Sequence, residues 1–372
     1  MKFVPLALIA EVTHRCPLRC VYCSNPLEMR SRSEELNTEE WQRVFSEAAA
    51  LGVLQLHLTG GEPLARPDAE QLVKSGRSAG LYVNLITSGI GLGEARLDAL
   101  VNAGLDHVQL SFQDSEQALA DEIAGTRAHA AKLELARRIR KHRIAFTMNI
   151  VVHRQNLARL PQMIALAEEL EVGKLEVANV QYYGWAFENR DKLLPTREQV
   201  QETIAIVDAA RERLKGSMRI DCVLPDYYAR YPKACMGGWG QGLMLIDPAG
   251  VVLPCHAARV IPGLNFDDVR SKPLRWIWEE SAAFERFRGD EWMQEPCRSC
   301  ERKTRDFGGC RCQAFLYTGD ADATDPVCSL APKRGLIDAV IANVAAPVGE
   351  VPSPSWVYRI NPSNAPARTP VA

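Results

Sequence analysis

The sequence predicts an α/β protein, a partial (β/α)6 barrel followed by a cysteine-rich second domain. Three observations predict it. Six short apolar runs rich in branched residues recur in the first half, stretches with helical spacing separate most of them, and eight of the eleven cysteines fall between residues 217 and 330, where the alternation stops.

The runs are VPLALIAEV (4–12), VLQLHL (53–58), LYVNLIT (81–87), HVQLSF (107–112), IAFTMNIVV (144–152) and KLEVANV (174–180). Branched and aromatic side chains suit a pleated, buried surface. After the first run, Asn37 and Glu40 have capping-box spacing, and Trp41, Val44, Phe45 and Ala48 then share one helical face. Strands alternating with helices read as right-handed β/α units around a parallel sheet. Six units are fewer than the eight of a closed barrel, so an open, partial barrel is expected. A helix over 196–215, opened by Pro195 and Thr196 and closed near Gly216, leads out of it.

The expected domains are 1–216 for the barrel, 217–345 for the cysteine-rich part and 346–372 for a proline-rich tail. The second part has little periodicity, so metal ligation is expected to supply stability that packing cannot. The tail holds six prolines and, apart from Trp356, Val357 and Tyr358, few core formers; it reads as mobile, with the aromatic pair as a docking point.

A net charge of −2 and the absence of a long Lys/Arg run exclude an electrostatic footprint for nucleic acid, and no stretch approaches the roughly 18 apolar residues of a membrane helix. The N-terminus lacks a small-residue cleavage site and reads as a first buried strand. An odd number of cysteines gathered in two groups argues against a disulfide framework and for metal or redox chemistry in the cytoplasm.

The first group lies in THRCPLRCVYCSNP (13–26), where Cys16, Cys20 and Cys23 have CxxxCxxC spacing directly after the first strand. Ligand sites in α/β folds form at that sheet edge. Three thiolates can hold three corners of a [4Fe-4S] cluster and leave the fourth iron open to a substrate. A zinc site is the alternative, although His14 has no regular zinc-ligand spacing to the cysteines.

With Tyr22 before the last cysteine and TGGEP (59–63) after the second strand, the chain resembles the radical S-adenosylmethionine (radical SAM) superfamily. The resemblance implies a [4Fe-4S] cluster whose open iron chelates S-adenosyl-L-methionine. Gly60 and Gly61 would let the backbone approach that ligand, and Glu62 could accept hydrogen bonds from a cation. Ser88, Ser111 and Asn149 sit at strand ends on the same rim. The resemblance brings Ser111 and Asn149 to the nucleoside, while turn formation is the plainer reading of each. An Arg found in an IRG segment of many relatives is replaced by Ile123, Ala124 and Gly125.

The second group resembles the SPASM extension, which binds two auxiliary iron–sulfur clusters ([4Fe-4S] and/or [2Fe-2S]). Here Asp306 stands where a cysteine is usual, and an additional Cys312 follows Cys310. That combination resembles the PqqE family of pyrroloquinoline quinone biosynthesis. The resemblance implies Cys235, Cys255, Cys310 and Cys312 for one cluster and Cys297, Cys300, Asp306 and Cys328 for the other. It also implies a carbon–carbon crosslink in a precursor peptide, PqqA, a peptide carrier, PqqD, and an electron donor such as flavodoxin. Other SPASM peptide maturases share these parts, as would a non-enzymatic iron–sulfur protein without the GGEP loop. Asp306 could instead be a solvated loop aspartate.

Cys222 is left over and reads as a buried structural thiol. His153 and His256 are the acid–base candidates, whereas His57 reads as a core or rim residue. Arg30, Arg32 and Arg66 could meet an acidic peptide or be ordinary solvated charge.

Overall fold

The computed structural model describes residues 3–345 and 355–362. Its centre is one sheet of nine strands: β1 (Ala7–Thr13), β2 (Gln55–Gly60), β3 (Tyr82–Thr87), β4 (His107–Phe112), β5 (Ala145–Val152), β6 (Lys174–Asn179), β7 (Arg219–Val223), β8 (Leu243–Ile246) and β9 (Val252–Leu253). The order is β7-β6-β5-β4-β3-β2-β1-β8-β9. Only β8 and β9 pair antiparallel. Successive strands from β1 to β7 are neighbours, so the chain winds one way and leaves two open edges, as a partial barrel does.

The helices are α1 (Thr38–Leu51), α2 (Ala69–Ser78), α3 (Glu94–Asn102), α4 (Gln117–Ala124), α5 (His129–Lys141), α6 (Leu160–Glu169), α7 (Gly184–Glu188), α8 (Arg190–Leu193), α9 (Arg197–Arg213), α10 (Leu274–Glu280), α11 (Ala282–Glu285), α12 (Lys303–Asp306), α13 (Arg311–Thr318) and α14 (Gly335–Ala345). No helix among the described residues is long and apolar enough to cross a membrane. The capping boxes start α1 and α9 where the sequence places them. Asn37 Oδ1 accepts from the Glu40 amide at 2.9 Å while Glu40 accepts from the Asn37 amide at 2.8 Å, and Thr196 and Gln199 do the same for α9. Trp41, Val44, Phe45 and Ala48 then bury one face of α1. Truncating Trp41 to alanine would cost about 3–5 kcal/mol by the cavity it leaves.

The strands are two-sided, and this positions the site. Val108, Leu110 and Phe112 of β4, Met148, Ile150 and Val152 of β5, and Leu175 and Val177 of β6 join the main apolar core. The alternate residues point to the other face. There Ser111, Asn149 and Glu176 stand in register across β4, β5 and β6, a polar row that the period of two turns inward.

The alternation does not stop at residue 217 as the sequence suggests. β7 pairs parallel with β6, and β8 pairs parallel with β1, extending the sheet at both edges. β8 and β9 form a short hairpin whose turn is tied by Asp247 Oδ1, which accepts from the Ala249 and Val251 amides at 3.0 and 2.9 Å. Gly250 takes φ +90° in that turn, a left-handed conformation that suits glycine. At four and two residues, β8 and β9 carry too little pattern to be read as strands from sequence. In the tail the aromatic pair docks as the sequence suggests: Trp356 and Tyr358 pack against the protein and residues 355–362 lie on the barrel, whereas 346–354 and 363–372, which include most of the prolines and carry the expectation of mobility, fall outside the described residues.

Candidate active site

The carboxyl ends of β1 to β6 surround a cavity of about 410 Å3. Cys16, Cys20, Cys23 and Tyr22 line one side of it, and Gly60, Gly61, Ser88, Ser111 and Asn149 line the others. The cysteine loop is irregular, so its backbone is satisfied by outside partners. Arg19 and Val21 donate to the Ala124 and Ile123 carbonyls at 2.8 and 3.2 Å, the Ala186 amide donates to Cys23 O at 2.9 Å, and Asn189 Nδ2 donates to Val21 O at 2.8 Å. The chain's Ile123-Ala124-Gly125 segment thus meets the loop through its backbone.

All eleven cysteines are free thiols. Burial pushes the Cys16 thiol up to about 12 and the Cys20 thiol up to about 11, and raises Cys23, while the Arg359 guanidinium pulls all three down. Thiols held this way ionise when a soft metal replaces the proton. The donor set of three sulfurs around one cavity therefore fits an iron–sulfur cluster.

The GGEP segment is braced against this loop. The Gly61 amide donates to Thr13 O at 2.6 Å, and the Glu62 amide donates to Arg15 O at 2.7 Å. A Cβ on Gly60 would stand 2.2 Å from Thr13 O, and one on Gly61 2.4 Å from Arg15 O. The close approach that needs glycine is thus to the cysteine loop itself. Glu62 does not line the cavity. It is buried and accepts from the Leu64 amide (3.0 Å), Thr87 Oγ1 (2.7 Å), and both the amide (2.7 Å) and hydroxyl (2.5 Å) of Ser88. Burial raises its pKa and these bonds lower it, with burial the larger effect. Its structural role is to lock the GGEP turn to the end of β3.

Sequence reasoning missed a buried lysine beneath the cavity. Lys132 Nζ donates to Ser111 O at 3.0 Å and to Gln113 Oε1 at 2.5 Å, and Gln113 Nε2 donates to the Tyr22 hydroxyl at 2.8 Å. Burial pulls this amine down to about 8, against the opposing charges of Cys20, Glu62 and Cys16. The signal was present: Lys132 occupies the apolar stripe that Leu135, Ala136 and Ile139 continue on α5.

The second group of thiols is gathered by the loops around β9 and α13. Cys255 Sγ and Cys312 Sγ are 3.7 Å apart, and the Tyr183 hydroxyl is 3.2 Å from Cys310 Sγ. Cys235, Cys255, Cys310 and Cys312 are buried together, and the contacts among their sulfurs hold the Cys255 and Cys310 thiols below the ordinary value and the Cys235 and Cys312 thiols above it. Cys297, Cys300, Asp306 and Cys328 line a separate pocket. Asp306 is not a solvated loop residue: it is 8% exposed, ends α12, accepts from the Gly308 amide at 3.2 Å and pairs with Arg302 at 3.2 Å. Cys222 lies on β7, partly buried against the main core and apart from both groups.

The two histidine candidates differ sharply. His153 is fully buried, its Nε2 has no partner, and burial holds its pKa down at about 3; it does not line the cavity. His256 does line it, and also lines a cavity of about 220 Å3 beside Cys235, Cys255 and Cys310 and one of about 490 Å3 near Arg30 and Arg259. His256 Nδ1 pairs with Glu11 Oε1 at 2.9 Å. Burial pulls His256 down, yet the Glu11 contact outweighs it and the net shift is upward. His57 sits on β2 against Asn84 at 3.1 Å and away from the cavity. Arg66 is spent on Val12 O, Leu36 O and Asp68, and Arg30 pairs with Asp247 and Glu34. Arg32 stands in a shallow pocket beside Arg66 and Arg96.

Residues 10–167 match the radical SAM superfamily, and residues 235–301 match an iron–sulfur cluster-binding domain, SPASM. A PqqA peptide cyclase of Methylobacterium nodulans is 54% identical over 357 residues, covering 95% of this chain and 93% of that protein. One from Bradyrhizobium diazoefficiens is 56% identical over 331 residues, covering 88% and 87%. In fold, Streptococcus suis SuiB bound to S-adenosylmethionine superposes with a TM-score of 0.74 at 19% identity, covering 88% of this chain and 78% of SuiB. SuiB has also been solved with its precursor peptide SuiA, and that form superposes with a TM-score of 0.73.

Proposed function

The chain belongs to the PqqA peptide cyclases of the radical SAM superfamily, and from that premise we propose that it joins a glutamate side-chain carbon to a tyrosine ring carbon within PqqA during pyrroloquinoline quinone biosynthesis. It is a radical SAM enzyme with a SPASM domain, and its cofactors are a [4Fe-4S] cluster with S-adenosylmethionine and further iron–sulfur binding in the C-terminal part. That membership sets zinc aside.

Cys16, Cys20 and Cys23 would hold the N-terminal cluster, with S-adenosylmethionine bound at it in the same cavity. When bound, this cofactor pair supplies one-electron cleavage of a sulfonium and hence a carbon radical able to take hydrogen from an unactivated carbon. The chain's own residues bind, orient and keep water out. Gly60 and Gly61 bring backbone to the cavity wall, and Ser111 and Asn149, in register on adjacent strands, offer polar groups to the nucleoside. Tyr22 and Ser88 line the same wall, and Glu62 holds Ser88 in place.

Cys235, Cys255, Cys310 and Cys312 would hold one auxiliary cluster, and Cys297, Cys300, Asp306 and Cys328 the other. Joining two C–H carbons removes two hydrogens, one as an atom taken by the carbon radical and one as a proton with an electron, and an auxiliary cluster held at these residues would supply an acceptor for that electron. The functional division is 1–216 for radical generation, 217–345 for the auxiliary clusters and 346–372 for the tail. The substrate is a peptide. A flexible peptide loses entropy on docking, so a carrier, PqqD, presents it, and an electron donor such as a flavodoxin supplies the reducing electrons. Eleven unpaired thiols support a cytoplasmic location.

The observation that carries this reading is the strand-end cavity in which three thiols face Ser111 and Asn149 and from which His256 leads to the four-thiol group. Anaerobic reconstitution tests it. With reductant, S-adenosylmethionine, PqqA and PqqD, the protein should release 5′-deoxyadenosine and a peptide lighter by two hydrogens; deoxyadenosine without any change in peptide mass would overturn the crosslink.

A further inference from the structure

Residues 355–362 lie across the loop that carries Cys16, Cys20 and Cys23. Asn189 holds both segments at once: its Oδ1 accepts from the Val357 amide at 3.0 Å, and its Nδ2 donates to Val357 O and to Val21 O, each at 2.8 Å. Tyr358 packs near the Arg19 guanidinium, 5.4 Å from the ring centroid, and its hydroxyl donates to Glu122 O at 3.3 Å. The Arg359 amide then donates to Arg19 O at 3.3 Å.

Arg359 is the buried centre of this segment. It is 2% exposed, and it lines the cavity with the three cysteines. Its Nη2 donates to His14 O and, at 3.3 Å, to Met29 Sδ, its Nη1 donates to Asn361 Oδ1 at 3.3 Å, and its charge acts on the Cys23 thiol, lowering the pKa that burial raises. Nε has no partner. Among the described residues no carboxylate forms an ion pair with it. A guanidinium cannot shed its proton at any ordinary pH, and a buried charge without a counter-charge costs several kcal/mol. Glu176 of β6 also lines the cavity but accepts from Gln109 Nε2 at 3.4 Å and forms no ion pair with Arg359; the other anionic groups that the cavity offers are the cysteine sulfurs, and a cubane on three thiolates would carry net negative charge.

Asn361 grips the Cys16 peptide from both sides: its Oδ1 accepts from the Cys16 amide at 3.0 Å and its Nδ2 donates to Cys16 O at 2.8 Å. We propose that residues 355–362 are a strap closing the N-terminal cluster site from within the same chain, with Arg359 as the counter-charge of the cluster and Asn361 as the clamp of the Cys16 peptide. The proposal rests on the assignment of Cys16, Cys20 and Cys23 as cluster ligands. Arg359 is a positioning residue in this scheme, acting through charge beside the cluster. A cation there favours the reduced, more negative cluster, so it raises the reduction potential.

The experiment is a redox titration of the reconstituted full-length protein, following the paramagnetic signal that changes on adding S-adenosylmethionine, with total iron as the check on the auxiliary clusters. Arg359→Met should shift the midpoint of that signal to more negative potential, and Arg359→Lys should restore most of the shift. Loss of the cluster in Arg359→Met with retention in Arg359→Lys supports the same role, because charge is then needed for assembly. An unchanged midpoint in Arg359→Met overturns it, as does loss of the cluster in both variants with auxiliary iron intact, which would make shape the requirement. For the clamp, Asn361→Ala should speed chelator-driven iron loss from the N-terminal cluster severalfold, and an unchanged rate removes that part. A wild-type protein without any signal responsive to S-adenosylmethionine would overturn the ligand assignment, and the strap's role with it.

Discussion

Glu11 on β1 joins two histidines from distant parts of the chain. Its Oε1 pairs with His256 Nδ1 at 2.9 Å and its Oε2 with His14 Nε2 at 3.2 Å. His14 Nδ1 accepts from the Arg30 amide at 2.8 Å, so Nε2 carries the hydrogen that points at Glu11. The buried carboxylate resists protonation: burial alone would raise its pKa, but the hydrogen bonds from His14 and His256 and the charge of His256 outweigh it. This contact ties the barrel's first strand to the loop beside Cys255.

Removing that carboxylate should leave two histidine nitrogens without partners. Glu11→Ala is expected to destabilise the protein by about 2 kcal/mol, in line with the cost of unsatisfied buried groups, and Glu11→Gln by less. Chemical denaturation measures both. Equal midpoints for wild type and Glu11→Ala would show the contact to be energetically idle.

The alanine triple variant of Cys16, Cys20 and Cys23 should lose deoxyadenosine formation and the iron of one cluster while keeping the remainder. Iron and sulfide counts with product chromatography give the answer. Retained cleavage of S-adenosylmethionine would place the chemistry elsewhere.

Gly61→Ala sets a Cβ against two backbone carbonyls of the cysteine loop, Arg15 O at 2.4 Å and His14 O at 2.6 Å, and neither backbone atom can yield cheaply. The variant should fold less stably by roughly 1–3 kcal/mol and fill the N-terminal cluster poorly. Gly93→Ala, which meets nothing within 4 Å and has an ordinary φ of −77°, should stay within about 0.5 kcal/mol of wild type. Similar cluster occupancy in the two variants would refute the packing argument.

At Asp306 the expectation is an uncoupling. A carboxylate oxygen binds iron as a harder, less covalent ligand than a thiolate, so Asp306→Cys should keep the auxiliary cluster and shift its potential and spectrum, whereas Asp306→Ala should leave a labile iron. In both, S-adenosylmethionine cleavage should persist while crosslinked peptide falls. Wild-type iron content, spectra and crosslinking in Asp306→Ala would reduce the residue to the partner of Arg302 and Gly308.

Adding PqqD should raise the crosslinking rate at limiting PqqA and give a titratable complex. A rate indifferent to the carrier, with no complex, would remove it from the scheme.

The parallel sheet, the carboxyl-end location of the cavity and the start of α1 and α9 were legible in the sequence, because each depends on local pattern. Period-two strands, capping boxes and the CxxxCxxC spacing after β1 act over a few residues and leave their mark there. The cluster-binding chemistry was legible for a similar reason: thiols at short spacing report their purpose without the fold. What only the tertiary structure decided lies between segments far apart in the chain. β8 joins the barrel beside β1 because the open edge there exposes unpaired backbone groups, and four apolar residues suffice to fill it. Glu62 turns inward to Ser88 because its four donors come from Leu64 in its own turn and from Thr87 and Ser88 at the end of β3, 25 and 26 positions away. Arg359 and Asn361 reach the cysteine loop from 345 positions away, and no local pattern announces that, since the energy of a buried guanidinium depends on which charges surround it and the fold alone assembles them.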